Sequence, residues 1–335
     1  MSFVTFGEIM LRLSPAALGD KLATSNELAM GYAGAESNVA TSLALLGNTT
    51  DFVSKLPNNP LGNGAILSLK KYGVSTRYVI EGGQRIGTYF IEMGASIRPS
   101  RVVYDRLESA IATISKNEFD WGAILKDKKW FHITGITPAL SEQCANECVL
   151  AAKMAGKLGV NVSFDMNYRR SLWTDKSSAK TIFDKILEHT TVLFANLGAL
   201  KDVYGLKFSG STAIEQTENA MLKAQQIFGI DQMAFTVREH TSASVNTIAG
   251  TYLSEKELWK SRPYTLQVAD RFGTGDAFAA GCLHAINKRW KAQKIVDFAT
   301  AAFALKHTIK GDINYSNEQE IHSAYEGNLS GYVIR

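Results

Sequence analysis

Short apolar runs alternate along this chain with longer stretches of helical period. Residues 4–9 read as a first buried strand. Residues 129–136 (KWFHITGI), 160–164 (VNVSF), 192–194 and 233–237 read as further ones. The spacing of apolar positions predicts helices over 38–46, 141–158, 277–287 and 295–306. The first two run into Gly47 and Gly159, the residue type that a helix C-terminus favours because it accepts a left-handed backbone. Buried strands that alternate with helices predict an α/β fold: a mostly parallel sheet covered on both faces, in three layers.

Two regions break the rhythm. Residues from about 11 to 33 and from about 78 to 105 are short, polar-alternating and glycine-containing, and 88–93 (TYFIEM) alternates like a half-buried strand. They are read as a small β-sheet beside the main one, because structureless loops of this length are uncommon. No internal repeat and no linker divides the 335 residues.

Composition narrows the function classes. Hydrophobic residues make up 45% of the chain, enough for a large core without disulfides. Thirty-six basic and 32 acidic residues leave a net charge of +4, too balanced to argue for nucleic acid and mildly favourable for a small anion. The opening MSFVTFGEIM lacks a basic segment leading into a long apolar one, and no run of 18 apolar residues occurs. The expectation is therefore a cytoplasmic protein with no membrane partner. Three cysteines without a framework fit a reducing compartment. Cys144 and Cys148, four apart, are expected to be buried apolar side chains, since no neighbouring ligand completes a metal set. His132, inside a strand, is expected to be a satisfied core residue.

The common nucleotide motifs are missing. The only Gly-Lys pair, Gly156-Lys157, is followed by Leu158, so there is no Walker loop, and the first strand leads into Glu8-Ile9-Met10 instead of a dinucleotide fingerprint. One stretch does carry phosphate chemistry: ADRFGTGDAFAAG, residues 269–281. Gly273 and Gly275 let the backbone approach a ligand and turn its N–H groups inward. The small apolar residues after Asp276 predict a helix, whose N-terminus favours negative charge. Phosphoryl transfer needs such a field, and an acceptor for the proton of the attacking hydroxyl; Asp276 is placed to be that acceptor. The helix end is expected to keep it ionised. On these residues alone, a capping role for Asp276 is the more ordinary account.

Two stretches together carry a resemblance. Asp270, Gly273, Gly275, Asp276, Phe278 and Gly281 match the C-terminal signature of the ribokinase-like (PfkB) carbohydrate kinases. GYAGAESNVATSLALLG, with Gly31, Gly34, Asn38, Val39 and Ala40, resembles their N-terminal signature. The likeness spans nearly the whole chain. Within the family it is strongest to the 2-keto-3-deoxygluconate kinases, through Asp270-Arg271, RPSRVVYDRLESA (98–110), FDMNYRRSLW (164–173) and ALKHTIKGDIN (304–314).

The resemblance implies one kinase domain over 1–335, with the small sheet of about 11–33 and 78–105 as a lid that often pairs two subunits into a homodimer. It implies Asp276 as the base and the N–H groups of Gly273, Thr274 and Gly275 as an anion hole. Gly34, Asn38, Tyr89, Tyr104, Arg106, Arg169 and Asp312 would meet the sugar, and Asn196, Thr236 and Arg238 would meet ATP. A 2-keto-3-deoxy sugar acid carries a carboxylate, which a guanidinium fork from Arg106 or Arg169 suits. ATP with Mg2+ is the implied phosphoryl donor; no residue is assigned to the metal. Two positions depart from the pattern, both on the nucleotide side. Ala199 stands where the family carries a glutamate, and Arg238-Glu239 follows a strand where glycines are usual. The rival readings are a kinase for 5-keto-2-deoxygluconate, fructose or ribose, and a non-catalytic sugar-binding protein on the same scaffold, which Ala199 motivates.

Overall fold

The computed structural model describes residues 2–17, 19–173 and 175–328. In chain order the strands are β1 (Ser2–Phe6), β2 (Met10–Pro15), β3 (Leu28–Ala33), β4 (Thr49–Leu56), β5 (Ser75–Glu81), β6 (Thr88–Glu92), β7 (Arg101–Asp105), β8 (Trp130–Thr134), β9 (Asn161–Asp165), β10 (Val192–Ala195), β11 (Gln232–His240), β12 (Val245–Ser254), β13 (Glu257–Lys260) and β14 (Tyr264–Gln267). The helices are α1 (Ala35–Leu45), α2 (Pro60–Lys70), α3 (Trp121–Leu125), α4 (Glu142–Lys157), α5 (Lys176–Leu187), α6 (Leu197–Tyr204), α7 (Ala213–Phe228), α8 (Thr274–Asn287), α9 (Ala292–His307) and α10 (Glu318–Glu326).

The main sheet runs β13-β12-β11-β10-β9-β8-β1-β4-β5, with β14 beside β12. From β5 across to β11 every neighbouring pair is parallel; β12 and its partners add an antiparallel edge. Side chains alternate between the two faces, as strand geometry requires. Val4, Phe6, Val162, Phe164, Leu193 and Phe235 pack with α3 to α7, while Phe3, Val192, Phe194 and Ala234 pack with α1, α8, α9 and α10. Cys144 and Cys148 are fully buried in the first of these layers, and burial pushes the Cys144 thiol up to about 12. His132 is buried, its Nδ1 sits 2.7 Å from Ser163 Oγ, and burial holds the ring neutral with a pKa of about 3.

A separate four-stranded sheet runs β3-β2-β6-β7. Its register places Gly31, Arg12, Tyr89 and Tyr104 in one row on one face, and Met30, Leu13, Phe90 and Val103 in the neighbouring row on the other.

Three of the boundaries that differ from the sequence expectation bear on the site. The first strand ends at Phe6, because the chain must leave the main sheet to enter the second one; a Cβ at Gly7 would lie 2.2 Å from Glu36 Oε2, so this exit is glycine-dependent. Residues 78–81 are no part of the second sheet: β5 pairs in parallel with β4. Helix α8 begins at Thr274, three residues before the apolar run that announces it, so the glycine turn is itself the helix start.

Candidate active site

The C-terminal ends of the parallel strands and the inner face of the second sheet enclose a cavity of about 630 Å³. Ligands of open α/β sheets bind at the carboxyl ends of the strands, and here Asp165 closes β9, Asn196 follows β10, and Thr236 and Arg238 lie on β11. Every residue singled out from the sequence lines this one space. Gly34, Asn38, Tyr89, Tyr104, Arg106, Arg169 and Asp312 lie with Asn196, Thr236 and Arg238, and with the 273–276 turn.

The turn is built by exclusion of side chains. Gly273 has φ +70°, and a Cβ there would lie 1.7 Å from the Asp312 carbonyl oxygen. Around the Cβ position of Gly275 there is open space. Gly273 is the N-cap of α8, and no side chain caps the helix, so its first N–H groups are left to whatever enters the cavity. Gly34 answers a similar constraint at the start of α1, where a Cβ would lie 1.9 Å from the Glu8 carbonyl oxygen.

Asp276 sits in the first turn of α8 with 8% of its surface exposed, and Asn38 Nδ2 donates a 2.7 Å hydrogen bond to its Oδ2. The expectation that the helix end keeps Asp276 ionised is corrected here. Burial dominates and, with Asp165, Asp312 and Glu36 nearby, pushes its pKa up to about 8, against the opposing bond from Asn38. Asp165, at the end of β9, is likewise raised by burial, to about 7. The turn's charge-stabilising N–H groups and a carboxylate whose pKa lies close to neutral pH thus face the same space, an arrangement able to take up a proton and hold developing negative charge together.

On the opposite wall, Tyr89 and Tyr104 stack with ring centroids 6.1 Å apart. Tyr89 Oη donates to Asp312 Oδ2 at 3.0 Å, while Asp312 Oδ1 is ion-paired to Arg12. Each carboxylate oxygen keeps a second lone pair, so Asp312 can still accept from a ligand hydroxyl. Arg106 is not the free fork expected from the sequence. Its Nε donates to Glu8 Oε2 at 2.8 Å, its Nη2 pairs with the same oxygen, and Ser109 Oγ holds Glu8 Oε1 at 2.5 Å. The pair formed because Glu8 leaves β1 directly beneath the segment after β7, a neighbour 98 residues away. Arg169 is exposed at the cavity and has no ion pair among the described residues.

At the end of the cavity that the resemblance assigns to ATP, Asn196 Oδ1 accepts from the Ala199 N–H at 3.0 Å and so caps α6, and Asn196 lines the cavity there. Arg238 Nη2 donates to Thr274 Oγ1 at 2.9 Å, its guanidinium lies 5.3 Å above the Phe303 ring, and its buried Nε has no partner. Burial and the neighbouring charge of Arg271 lower its pKa to about 10, still cationic at neutral pH. Among the described residues no group of three or more His, Cys, Asp or Glu side chains could hold a metal, so these residues do not fit a protein-built magnesium centre. Glu8, Glu36, Arg12, Asp165 and Arg271 complete the site. Asp165, Arg271 and Glu36 stood inside quoted motifs and Glu8 at the end of the first apolar run, none with a role assigned, whereas Arg12 gave no sequence signal.

Comparison with known proteins places this geometry. A family model described as pfkB family carbohydrate kinase matches residues 2–320. A crystal structure of 2-dehydro-3-deoxygluconokinase from Thermotoga maritima superposes with a TM-score of 0.94 at 40% identity, covering 98% of this chain and 100% of that one. A 2-dehydro-3-deoxygalactonokinase of Haloferax volcanii is 31% identical over 98% of both chains, and a 2-dehydro-3-deoxygluconokinase of Bacillus subtilis is 27% identical over 93% of this chain and 91% of its own. Among the described residues no helix is long and apolar enough to cross a membrane.

If Asp276 must shed its proton to act, the deprotonated fraction grows with pH through its raised pKa. kcat/KM is expected to climb with pH and level off above about 8. Asn38→Ala removes the bond that lowers this pKa and is expected to move the limb to higher pH. A limb that stays near pH 4 in both proteins would show that Asp276 is not the titrating group.

Proposed function

The chain belongs to the pfkB family of carbohydrate kinases, ATP-dependent sugar phosphotransferases, and from that premise we propose that it phosphorylates 2-keto-3-deoxygluconate to 2-keto-3-deoxy-6-phosphogluconate. The observation that carries the reading is Asp276, a buried carboxylate with a raised pKa beside the uncapped N-terminus of α8. Asp276 takes the proton of the sugar's 6-hydroxyl as that oxygen forms its bond to the γ-phosphorus and the bond to the ADP oxygen breaks. The N–H groups of Thr274 and Gly275 hold the charge that develops on the transferring group. Tyr89, Tyr104 and the second sheet cover the sugar and keep water from competing for the phosphoryl group, and Asp312 takes a sugar hydroxyl.

Since Arg106 is spent on Glu8, the substrate carboxylate falls to Arg169. Arg238, with its unpartnered Nε next to Thr274, is assigned to an ATP phosphate, with Asn196 and Thr236 beside it. Magnesium is inferred to arrive on the nucleotide, because no described cluster would hold it alone. A second reading is the C4 epimer, 2-keto-3-deoxygalactonate, which the name of the Haloferax relative favours. The exposed row Met30 and Val103, at 62% and 55%, with Leu13 and Phe90 between them, supports a homodimer through the outer face of the second sheet.

ADP release from ATP and magnesium is measured with 2-keto-3-deoxygluconate, 2-keto-3-deoxygalactonate, 5-keto-2-deoxygluconate, gluconate, fructose and ribose. The expected result is highest kcat/KM on a 2-keto-3-deoxy acid and none with Asp276→Asn; preference for a neutral sugar would overturn the substrate. The two arginines separate kinetically. Arg169→Ala raises KM for the acid roughly tenfold to a hundredfold, the ~1.5–3 kcal/mol of a charged hydrogen bond, and Arg238→Ala raises KM for ATP instead. Equal effects on both constants would remove the assignments. Light scattering should give a dimer for the parent and a monomer for Met30→Glu/Val103→Glu; a monomeric parent sinks the dimer.

A further inference from the structure

Arg12 lies outside the cavity, on β2 of the second sheet, and only 6% of its surface is exposed. Its Nη2 donates to Asp270 Oδ2 at 2.6 Å and its Nη1 pairs with Asp312 Oδ1, so one planar fork grips two buried carboxylates 258 and 300 residues away. Asp270 belongs to the phosphate turn, and Asp312 joins that turn to the sugar side of the site. Asp270 opens the turn: its Oδ1 accepts from Phe272 N at 3.0 Å and its Oδ2 from Gly311 N at 2.9 Å. Asp312 packs its own carbonyl oxygen against Gly273 and takes the Tyr89 hydroxyl on its remaining carboxylate oxygen. Tyr89 is Arg12's register neighbour on the inner face of the second sheet.

The cluster is balanced. Asp270 and Asp312 face two cations, Arg12 and the fully buried Lys306, whose Nζ donates to Ile309 O at 2.8 Å. Of these, only Arg12 comes from the second sheet. We infer that Arg12 is a positioning residue: by holding Asp270 and Asp312 together it sets the 273–275 turn in its phosphate-accepting shape only while the second sheet lies over the sugar. A single cationic fork then makes one event of covering the sugar and completing the anion hole. The inference rests on reading that turn as the phosphate site. It predicts that sugar and nucleotide bind cooperatively and that the coupling passes through Arg12.

The test is calorimetric binding of the β,γ-imido analogue of ATP with magnesium, with and without a saturating amount of whichever sugar the parent turns over fastest. Using that sugar keeps the result independent of the substrate assignment. In the parent the sugar is expected to tighten the analogue about fivefold or more. Arg12→Lys keeps the charge but loses the two-point grip, and the coupling is expected to fall towards onefold, with kcat reduced at least tenfold and the melting temperature little changed. Arg12→Met leaves a carboxylate without its cation and can fail to fold. Arg12→Met/Asp270→Asn removes one charge of each sign and serves as the second folded variant, expected to lose the coupling as well. Coupling that persists in either folded variant, or that is absent in the parent, overturns the inference; a residue that only supported the fold would lower the melting temperature and leave the ratio unchanged.

Discussion

A carboxylate held out of water is the constraint around which this molecule is arranged. Asp276 is nearly buried, and among the described residues its one side-chain hydrogen bond comes from Asn38, 238 residues earlier. For that bond to form, α1 and α8 must lie side by side at the same end of the main sheet, and α8 must also pack closely on α9. The run of small residues after Asp276 makes this possible: a Cβ at Gly281 would stand 3.1 Å from Ala299 Cα, and Ala277, Ala279 and Ala280 are buried on the same helix. The helix that carries the proposed base is therefore narrow for a packing reason, and the packing fixes where Asp276 points. The polar ends of the contact are pinned as well, with Asn48 Nδ2 2.9 Å from His284 Nδ1 and His284 Nε2 3.0 Å from Glu318.

The second sheet shows how a period of two divides labour. Its inner row, Arg12, Tyr89 and Tyr104, carries polar atoms to the cavity wall and to the carboxylates beneath it. Its outer row, Met30, Leu13, Phe90 and Val103, is apolar. A shift of one residue in the pairing of β2 would put Leu13 where Arg12 is and leave Asp270 and Asp312 without a cation, so the buried ion pairs also select the register.

What the sequence made legible was whatever is local. The alternation of strands and helices was readable because the parallel strands are short, apolar and buried on both faces. The edge strands β12 to β14 and helices α5 and α7 were not read; α5 buries only Ala179, Phe183, Ile186 and Leu187 of its residues, so its apolar stripe is thin. The phosphate turn was visible because glycine at 273 and 275 and a carboxylate at 276 are consecutive. The engagement of Arg106 by Glu8 and the fork of Arg12 were invisible, since a sequence gives residue types and not partners at separations of 98 to 300. The ionisation of Asp276 was misjudged for the same reason. The helix end is a local cause, whereas the burial and the three nearby carboxylates that outweigh it are tertiary.

The two departures from the family pattern become intelligible together when charge is counted at the phosphate end. Ala199 removes a carboxylate that the resemblance implies there, and its N–H is used by Asn196 to start α6. Arg238 adds a guanidinium, and Arg271 brings a second one close enough to lower the pKa of the first. Neither arginine has a carboxylate partner among the described residues, and the adjacent His307 is kept neutral by burial and by Arg238 itself. Two unpaired, half-buried cations of like charge are costly in an empty site. They lose that cost when an anion of high charge lies between them and the N-terminus of α8, and the loss is part of the binding energy. A polyphosphate is the anion proposed for the adjoining turn, and with the extra cation in place such a site would have less need of a carboxylate to recruit a metal. With Arg238 on an ATP phosphate, as proposed, the missing glutamate and the added arginine would be one change: positive charge on the phosphates supplied more by the protein's own side chains and less by a metal that the protein must hold.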